Sequence, residues 1–191
     1  MKFQIVIAGI GGQGVLFGAK VFTELARRRG LAVLGSENHG MSQRGGSVTS
    51  HLRIGDFHSP LVAEGDADLL FALDSQEAHR NLPCLRAANG QRGALCLVSA
   101  PNAAAFPDAR VAPALRRLGI EIHSCAADAT ALEMGDPLSA NLLLLGFGAG
   151  LEGFPFSYNE VCVAVDALGS SKNRAANLAA LERGSRLPDL Y

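Results

Sequence analysis

The sequence predicts an α/β fold: a three-layer α/β/α sandwich around a Rossmann-like, mostly parallel sheet with an antiparallel edge. Two observations carry that prediction. Phe3 to Gly9 is a continuous apolar run closed by glycine, as expected of a strand buried on both faces. It leads at once through Gly9-Ile10-Gly11-Gly12-Gln13-Gly14 into a helical pattern, and short apolar runs then alternate with helical segments as far as Met134.

Gly14 to Arg29 spaces Val15, Ala19, Phe22 and Ala26 on one helical face, with Arg27 to Arg29 in the last turn and Gly30 after it. The three arginines read as a solvated helix end and carry no assigned function. Leu31 to Ser36 is a second strand, and Glu37 to Gly46 a polar, glycine-rich loop. Ser47 to Gly55 alternates Val48, Ser50, Leu52 and Ile54 to one side, which predicts an antiparallel edge strand paired with Phe57 to Val62 through a turn at Gly55-Asp56. Strands follow at Asp68–Leu73, Ala94–Ser99 and Ile120–Cys125, with helices over Ser75–Ala88, Ala112–Leu118 and Ala127–Met134. The last third reads as helices over Pro137–Leu151, Tyr158–Leu168 and Lys172–Arg183.

A chain of 191 residues with 48% apolar and 18% charged residues is long and apolar enough for one folded domain spanning residues 1–191. A formal charge of −1 offers no concentrated basic face, which weighs against nucleic acid as partner. The longest apolar run, Leu142 to Leu151, is far short of the ~20 residues of a membrane span, and the N-terminus lacks the pattern of a signal peptide. The expectation is a cytoplasmic protein. Cys84, Cys96, Cys125 and Cys162 form no CxxC pair, so free thiols are expected, with no metal or iron–sulfur cluster held by this chain.

The chemistry-bearing feature is the turn. A GxGxxG pattern directly between strand and helix places glycines where the backbone bends tightly, where a ligand approaches, and where helix and strand pack. The helix start then offers free N–H groups and a partial positive charge that favour phosphate. Two or three charge-assisted bonds of ~1.5–3 kcal/mol each give only millimolar to micromolar binding, so such a ligand needs further surface. Glu37, 23 positions after Gly14, stands where a dinucleotide-binding fold puts its ribose-binding acid. Yet the stretch Ser36-Glu37-Asn38-His39-Gly40-Met41-Ser42-Gln43-Arg44-Gly45-Gly46 is too rich in functional side chains for a simple adenosine turn. Arg44 suits a forked grip on carboxylate or phosphate and His39 a proton relay, unless they only pair and cap locally.

That stretch and the glycine turn together resemble the gamma-type domain of 2-oxoacid:ferredoxin oxidoreductases, above all the indolepyruvate-specific branch. Ala72-Leu73-Asp74, Gly135-Asp136-Pro137, Ala140-Asn141, Leu144-Leu145-Gly146, Lys172, Asn173 and Asn177 extend the resemblance along nearly the whole chain. Asn38 and Ser42 depart from it, standing where the family more usually has Val and Ala. The resemblance implies a complex that decarboxylates a 2-oxoacid, an arylpyruvate such as indolepyruvate, to an acyl-CoA while reducing ferredoxin. Thiamine diphosphate and [4Fe-4S] clusters would sit on partner subunits, in keeping with the lack of a GDG motif or a CxxCxxC run here. It further implies that Gly11, Gly12, Gln13 and Gly14 hold a phosphate-bearing ligand, coenzyme A, across a subunit boundary lined by His39, Gln43 and Arg44. Two rivals predict other behaviour: a freestanding NAD enzyme using Glu37, and a purely structural scaffold subunit.

The segment after Pro137 is apolar on every face, with Asn141 its only polar residue after Ser139 and before Glu152. It is expected to be core or covered by another chain, with Gly146, Gly148 and Gly150 allowing close packing and Asn141 bonded to a nearby loop.

Overall fold

The computed structural model describes residues 2–39, 45–90, 92–101, 105–170 and 172–191, with His39 described for its backbone alone. The strands are β1 (Phe3–Ile10), β2 (Val33–His39), β3 (Ser47–Ile54), β4 (Leu69–Ala72), β5 (Leu95–Ser99) and β6 (Glu121–Cys125). The helices are α1 (Val15–Arg28), α2 (Ser75–Asn81), α3 (Val111–Arg117), α4 (Ala127–Glu133), α5 (Ala140–Ala149), α6 (Tyr158–Leu168) and α7 (Arg174–Ser185).

The six strands form one sheet in the order β2-β3-β1-β4-β5-β6. β1, β4, β5 and β6 run parallel, and β3 runs antiparallel to both its neighbours. Alternation along the buried strands divides the core in two. Ile5, Ile7, Leu69, Phe71 and Leu97 pack under α1, α5, α6 and α7, with Ala127 and Ala131 of α4 in the same cluster. Val6, Ala8, Leu70, Cys96 and Val98 pack under Ala78 of α2 and Leu115 of α3. This is the three-layer sandwich read from the sequence.

The antiparallel segment is placed differently from expectation. Ser47–Ile54 is not the edge: β2 continues through Glu37, Asn38 and His39, residues expected in a loop, and takes the outer position. Phe57 to Val62 is not a strand. Pro60 interrupts its N–H series, and side chains take up its backbone groups instead. Arg53 lies over the Phe57 ring at 4.2 Å and donates to the Leu61 carbonyl at 3.2 Å, while Val62 N–H donates to His51 Nδ1 at 3.2 Å. Proline also shortens two helices: Pro83 lies in a 3-10 turn (Leu82–Cys84) that ends α2, and Pro137 opens another (Pro137–Ser139) before α5.

The apolar α5 is core of its own chain. Its neighbour is α7, and the two backbones meet where side chains are missing. A Cβ on Gly146 would lie 2.1 Å from the Leu181 carbonyl oxygen, and one on Gly184 would lie 2.2 Å from that of Leu143. The arginines ending α1 are engaged rather than merely solvated. Arg27 and Arg28 pair with Glu24, and Arg29 pairs with Glu160 at 2.7 Å while lying 4.6 Å from the Phe156 ring centre.

Candidate functional site

Residues 10–14 close the turn between β1 and α1 with their own groups. Ile10 N–H donates to Gln13 Oε1 at 2.8 Å, and Gln13 N–H donates back to the Ile10 carbonyl at 3.0 Å. Gly11 N–H donates to the Gly46 carbonyl at 2.9 Å. Gly12 and Gly14 stand at φ +104° and +86°, the region that favours glycine. Among the described residues no side chain caps α1, and its first turn carries no acid. The N–H groups of Gly12, Gly14, Val15 and Leu16 therefore find no acceptor among the described residues. Together with the helix dipole they form a cradle for an anion.

A cavity of about 420 Å³ opens beside Gly12 and Gly14. Its polar wall comes from the segment before α5 and the start of α7: Asp136, Ser139, Asn141, Ser170, Asn173 and Asn177. Asn141 ties that wall to the turn. It is 4% exposed, its Nδ2 donates to the Gly14 carbonyl at 3.4 Å, and its Oδ1 accepts from Leu142 N–H at 2.7 Å. Leu138 and Leu168, which also line the cavity, are 74% and 38% exposed and give it an apolar rim.

Of the residues singled out in the sequence, Gly12 and Gly14 meet at this cavity. Gly11 and Gln13 stand in the same turn, but the N–H of each and the side-chain oxygen of Gln13 are already bonded within the chain. His39 closes β2 opposite Val48. Its side chain, and the whole of Gln43 and Arg44, lie outside the described residues. The far end of that segment is held at the turn. Besides the Gly46 bond, Ser47 Oγ donates to Glu77 Oε2 at 2.6 Å, and Glu77 is buried in α2 against Arg80. Asp74 caps α2 by accepting from Gln76 and Glu77 N–H. Glu37 faces Ser50 across β3, away from the turn.

Ser139, Ser170, Asn173 and Asn177 do not stand out as site residues in the sequence. Ser139 and Asn173 directly precede α5 and α7, Asn177 lies in the first turn of α7, and Ser170 lies in the connection before α7. Asp128 lies in the first turn of α4, near the strand ends. Burial pushes its carboxyl up, the Ser99 hydroxyl donating at 2.7 Å opposes this, and the charge of Asp74 adds to it. Burial also pushes the Cys96 and Cys125 thiols up to about 12. His123, two residues before Cys125, bonds Asp189 at 2.6 Å. Among the described residues no three His, Cys, Asp or Glu side chains gather as a metal site.

Residues 4–187 match the model of the family described as pyruvate ferredoxin/flavodoxin oxidoreductase. The indolepyruvate oxidoreductase subunit IorB of Archaeoglobus fulgidus is 35% identical over 190 residues, 96% of this chain and 94% of that protein. The protein of that name from Methanothermobacter thermautotrophicus is 32% identical over 160 residues, 81% of this chain and 82% of its own. Among solved structures, pyruvate oxidoreductase subunit PORC of Thermotoga maritima superposes with a TM-score of 0.71 at 19% identity, over 100% of this chain and 99% of that one. The 2-oxoglutarate:ferredoxin oxidoreductase of Magnetococcus marinus, solved with 2-oxoglutarate, coenzyme A and succinyl-CoA, superposes with a TM-score of 0.73 at 20% identity. That match covers 96% of this chain but 30% of the other. At such identities the two structures speak for the fold.

Proposed function

Because the chain belongs to the pyruvate ferredoxin/flavodoxin oxidoreductase family, we propose that it is a subunit of a cytoplasmic 2-oxoacid:ferredoxin oxidoreductase acting on an arylpyruvate such as indolepyruvate. The complex cleaves the bond between the keto carbon and the carboxylate, releases carbon dioxide, joins the acyl group to the coenzyme A sulfur with release of the thiol proton, and passes the two electrons left from the cleaved bond to ferredoxin. Thiamine diphosphate and the [4Fe-4S] clusters belong to partner subunits in this reading. The four thiols here are dispersed, and Cys96 and Cys125 are buried, so they do not suit a shared cluster.

The role of this chain is to hold a phosphate-bearing ligand, coenzyme A, at the open amides of Gly12, Gly14 and Val15. The observation that carries this is the Gly11 to Gly46 bond at 2.9 Å. It anchors the end of the histidine- and arginine-bearing segment beside the anion cradle. When bound, coenzyme A supplies the thiol that accepts the acyl group. The chain's own groups bind and orient: amides toward phosphate, Asn141 setting the wall, and His39, Gln43 and Arg44 closing the boundary toward the partner.

Native co-purification tests the assembly. The recovered complex should contain iron and thiamine diphosphate and reduce ferredoxin with an arylpyruvate; recovery of a lone chain counts against the proposal. Coenzyme A titrated into the isolated chain and into the complex tests the site, and binding to neither removes the ligand assignment. If Gly12→Ala and Arg44→Gln leave turnover and the KM for coenzyme A intact, the chain is a scaffold.

A further inference from the structure

A second cavity, of about 530 Å³, lies between α1 and the β2–β3 pair. We propose that it is a binding site for a small amphiphilic carboxylate, distinct from the glycine-turn cavity and independent of its assignment. Ser50 carries the argument. It is 1% exposed and lines this cavity, and its hydroxyl has no hydrogen-bond partner among the described residues. Native folds rarely bury a hydroxyl unpaired, because nothing repays its lost hydration. A ligand atom in the cavity supplies the missing partner.

The chemistry of the walls selects the ligand. Lys20 lines the same cavity, and its ammonium makes no ion pair among the described residues. Two carboxylates also line it, but Glu24 is held by Arg27 at 2.7 Å and Arg28 at 2.8 Å, and Glu37 has an interaction of its own. The Thr23 hydroxyl gives its proton to the Ala19 carbonyl at 2.8 Å. Lys20 is thus the one cation among the described residues of the lining, beside a hydroxyl that can donate. That pair matches a carboxylate head. Ala19, Leu52 and Leu168 give the remaining surface for an apolar body. Gly35 keeps the wall open, since a Cβ there would lie 3.1 Å from Leu52 Cδ2. The volume falls within the ~300–1,000 Å³ of pockets that enclose small ligands.

Phenylacetate is the probe, with benzylamine and benzyl alcohol matching its shape without its charge. Titrated into the ¹⁵N-labelled full chain, phenylacetate should shift the amide signals of Lys20, Ser50 and Leu52 saturably and leave Gly12 and Gly14 in place. Lys20→Gln, at an exposed position, should weaken binding roughly tenfold. Ser50→Ala should weaken it severalfold, with Ser50→Cys as the substitute if the alanine variant does not fold. Binding of benzylamine or benzyl alcohol as tight as that of phenylacetate overturns the proposal. So does an unchanged affinity in Lys20→Gln, or an absence of shifts with all three probes, which would leave Ser50 to an ordered water alone.

Discussion

Gly14→Ala separates the two demands that the turn makes on its glycines. At φ +86° an alanine pays ~1–2 kcal/mol for the left-handed backbone. Its Cβ would also stand 2.2 Å from Asn141 Nδ2 and 3.1 Å from Asn141 Cγ. Asn141 is buried, so it moves only by giving up the bond it accepts from Leu142 N–H, at ~1–3 kcal/mol for the groups left unpaired. The sum is about 2–5 kcal/mol. Gly12→Ala is the internal control. At φ +104° its backbone cost is of the same kind, but a Cβ there meets no described atom within 4 Å, so it should lose only ~1–2 kcal/mol. Urea unfolding of both variants measures the difference. In Gly14→Ala/Asn141→Ala the two crowding atoms are gone and the nearest remaining contact is Asn141 Cβ at 3.6 Å. The double variant should therefore be more stable than the sum of the single losses by about 1 kcal/mol or more. Equal losses for Gly12→Ala and Gly14→Ala, with additivity in the double variant, refute the claim that Asn141 is what requires a glycine at position 14.

At the α5–α7 contact, Gly146→Ala must push two helix backbones apart and should cost ~3 kcal/mol or more in thermal or urea unfolding. Gly150→Ala, whose Cβ would lie 3.4 Å from the Phe147 carbonyl oxygen, should cost far less. The Glu160 carboxyl is held down to about 2, chiefly by Arg29 and then by Ser157, so its folded value lies below its unfolded one. Its stabilising contribution is complete above the usual glutamate range and fades as pH falls from about 4.5 toward 2. Melting temperatures of wild type and Glu160→Gln should therefore converge over that interval. Ser47→Ala leaves a buried Glu77 oxygen short of a donor at the exit of the histidine- and arginine-bearing segment. Faster amide exchange at Gly46 and Ser47 should report the loosening, and wild-type exchange there would contradict that anchor.

What could be read from the sequence was local. The β1–turn–α1 unit has its apolar run, its glycines and its helix within 28 residues, and it stands where expected. The helices of the last third also stand, because their apolar faces repeat within each segment. The errors concern partners outside the segment being read. Nothing near Gly14 announces that its neighbour is Asn141, 127 residues away, so its glycine was assigned to helix–strand packing. The tight packing falls instead on Gly9, whose Cβ would lie 2.9 Å from Val15 Cγ2 and 3.1 Å from Leu73 Cβ. Phe57 to Val62 has strand-like residues, and only the reach of Arg53 and His51 shows why it forms no ladder.

The placement of β3 bears most directly on function. In a dinucleotide-binding fold the second strand lies beside the first, and the acid at its end reaches the ribose. Here the antiparallel β3 occupies that place and sets Glu37 two strand spacings, ~9–10 Å, from β1. That distance removes the geometric basis for an NAD site built on Glu37. The same insertion pairs Ser47 with Ile10, so the segment entering β3 arrives at the very end of β1. What meets the glycine turn from this side is thus the Gly46 carbonyl, which takes the Gly11 N–H, while Glu37 stands away from it. A helix start whose amides stay open favours an anion, whereas a ribose-binding acid beside it would repel one.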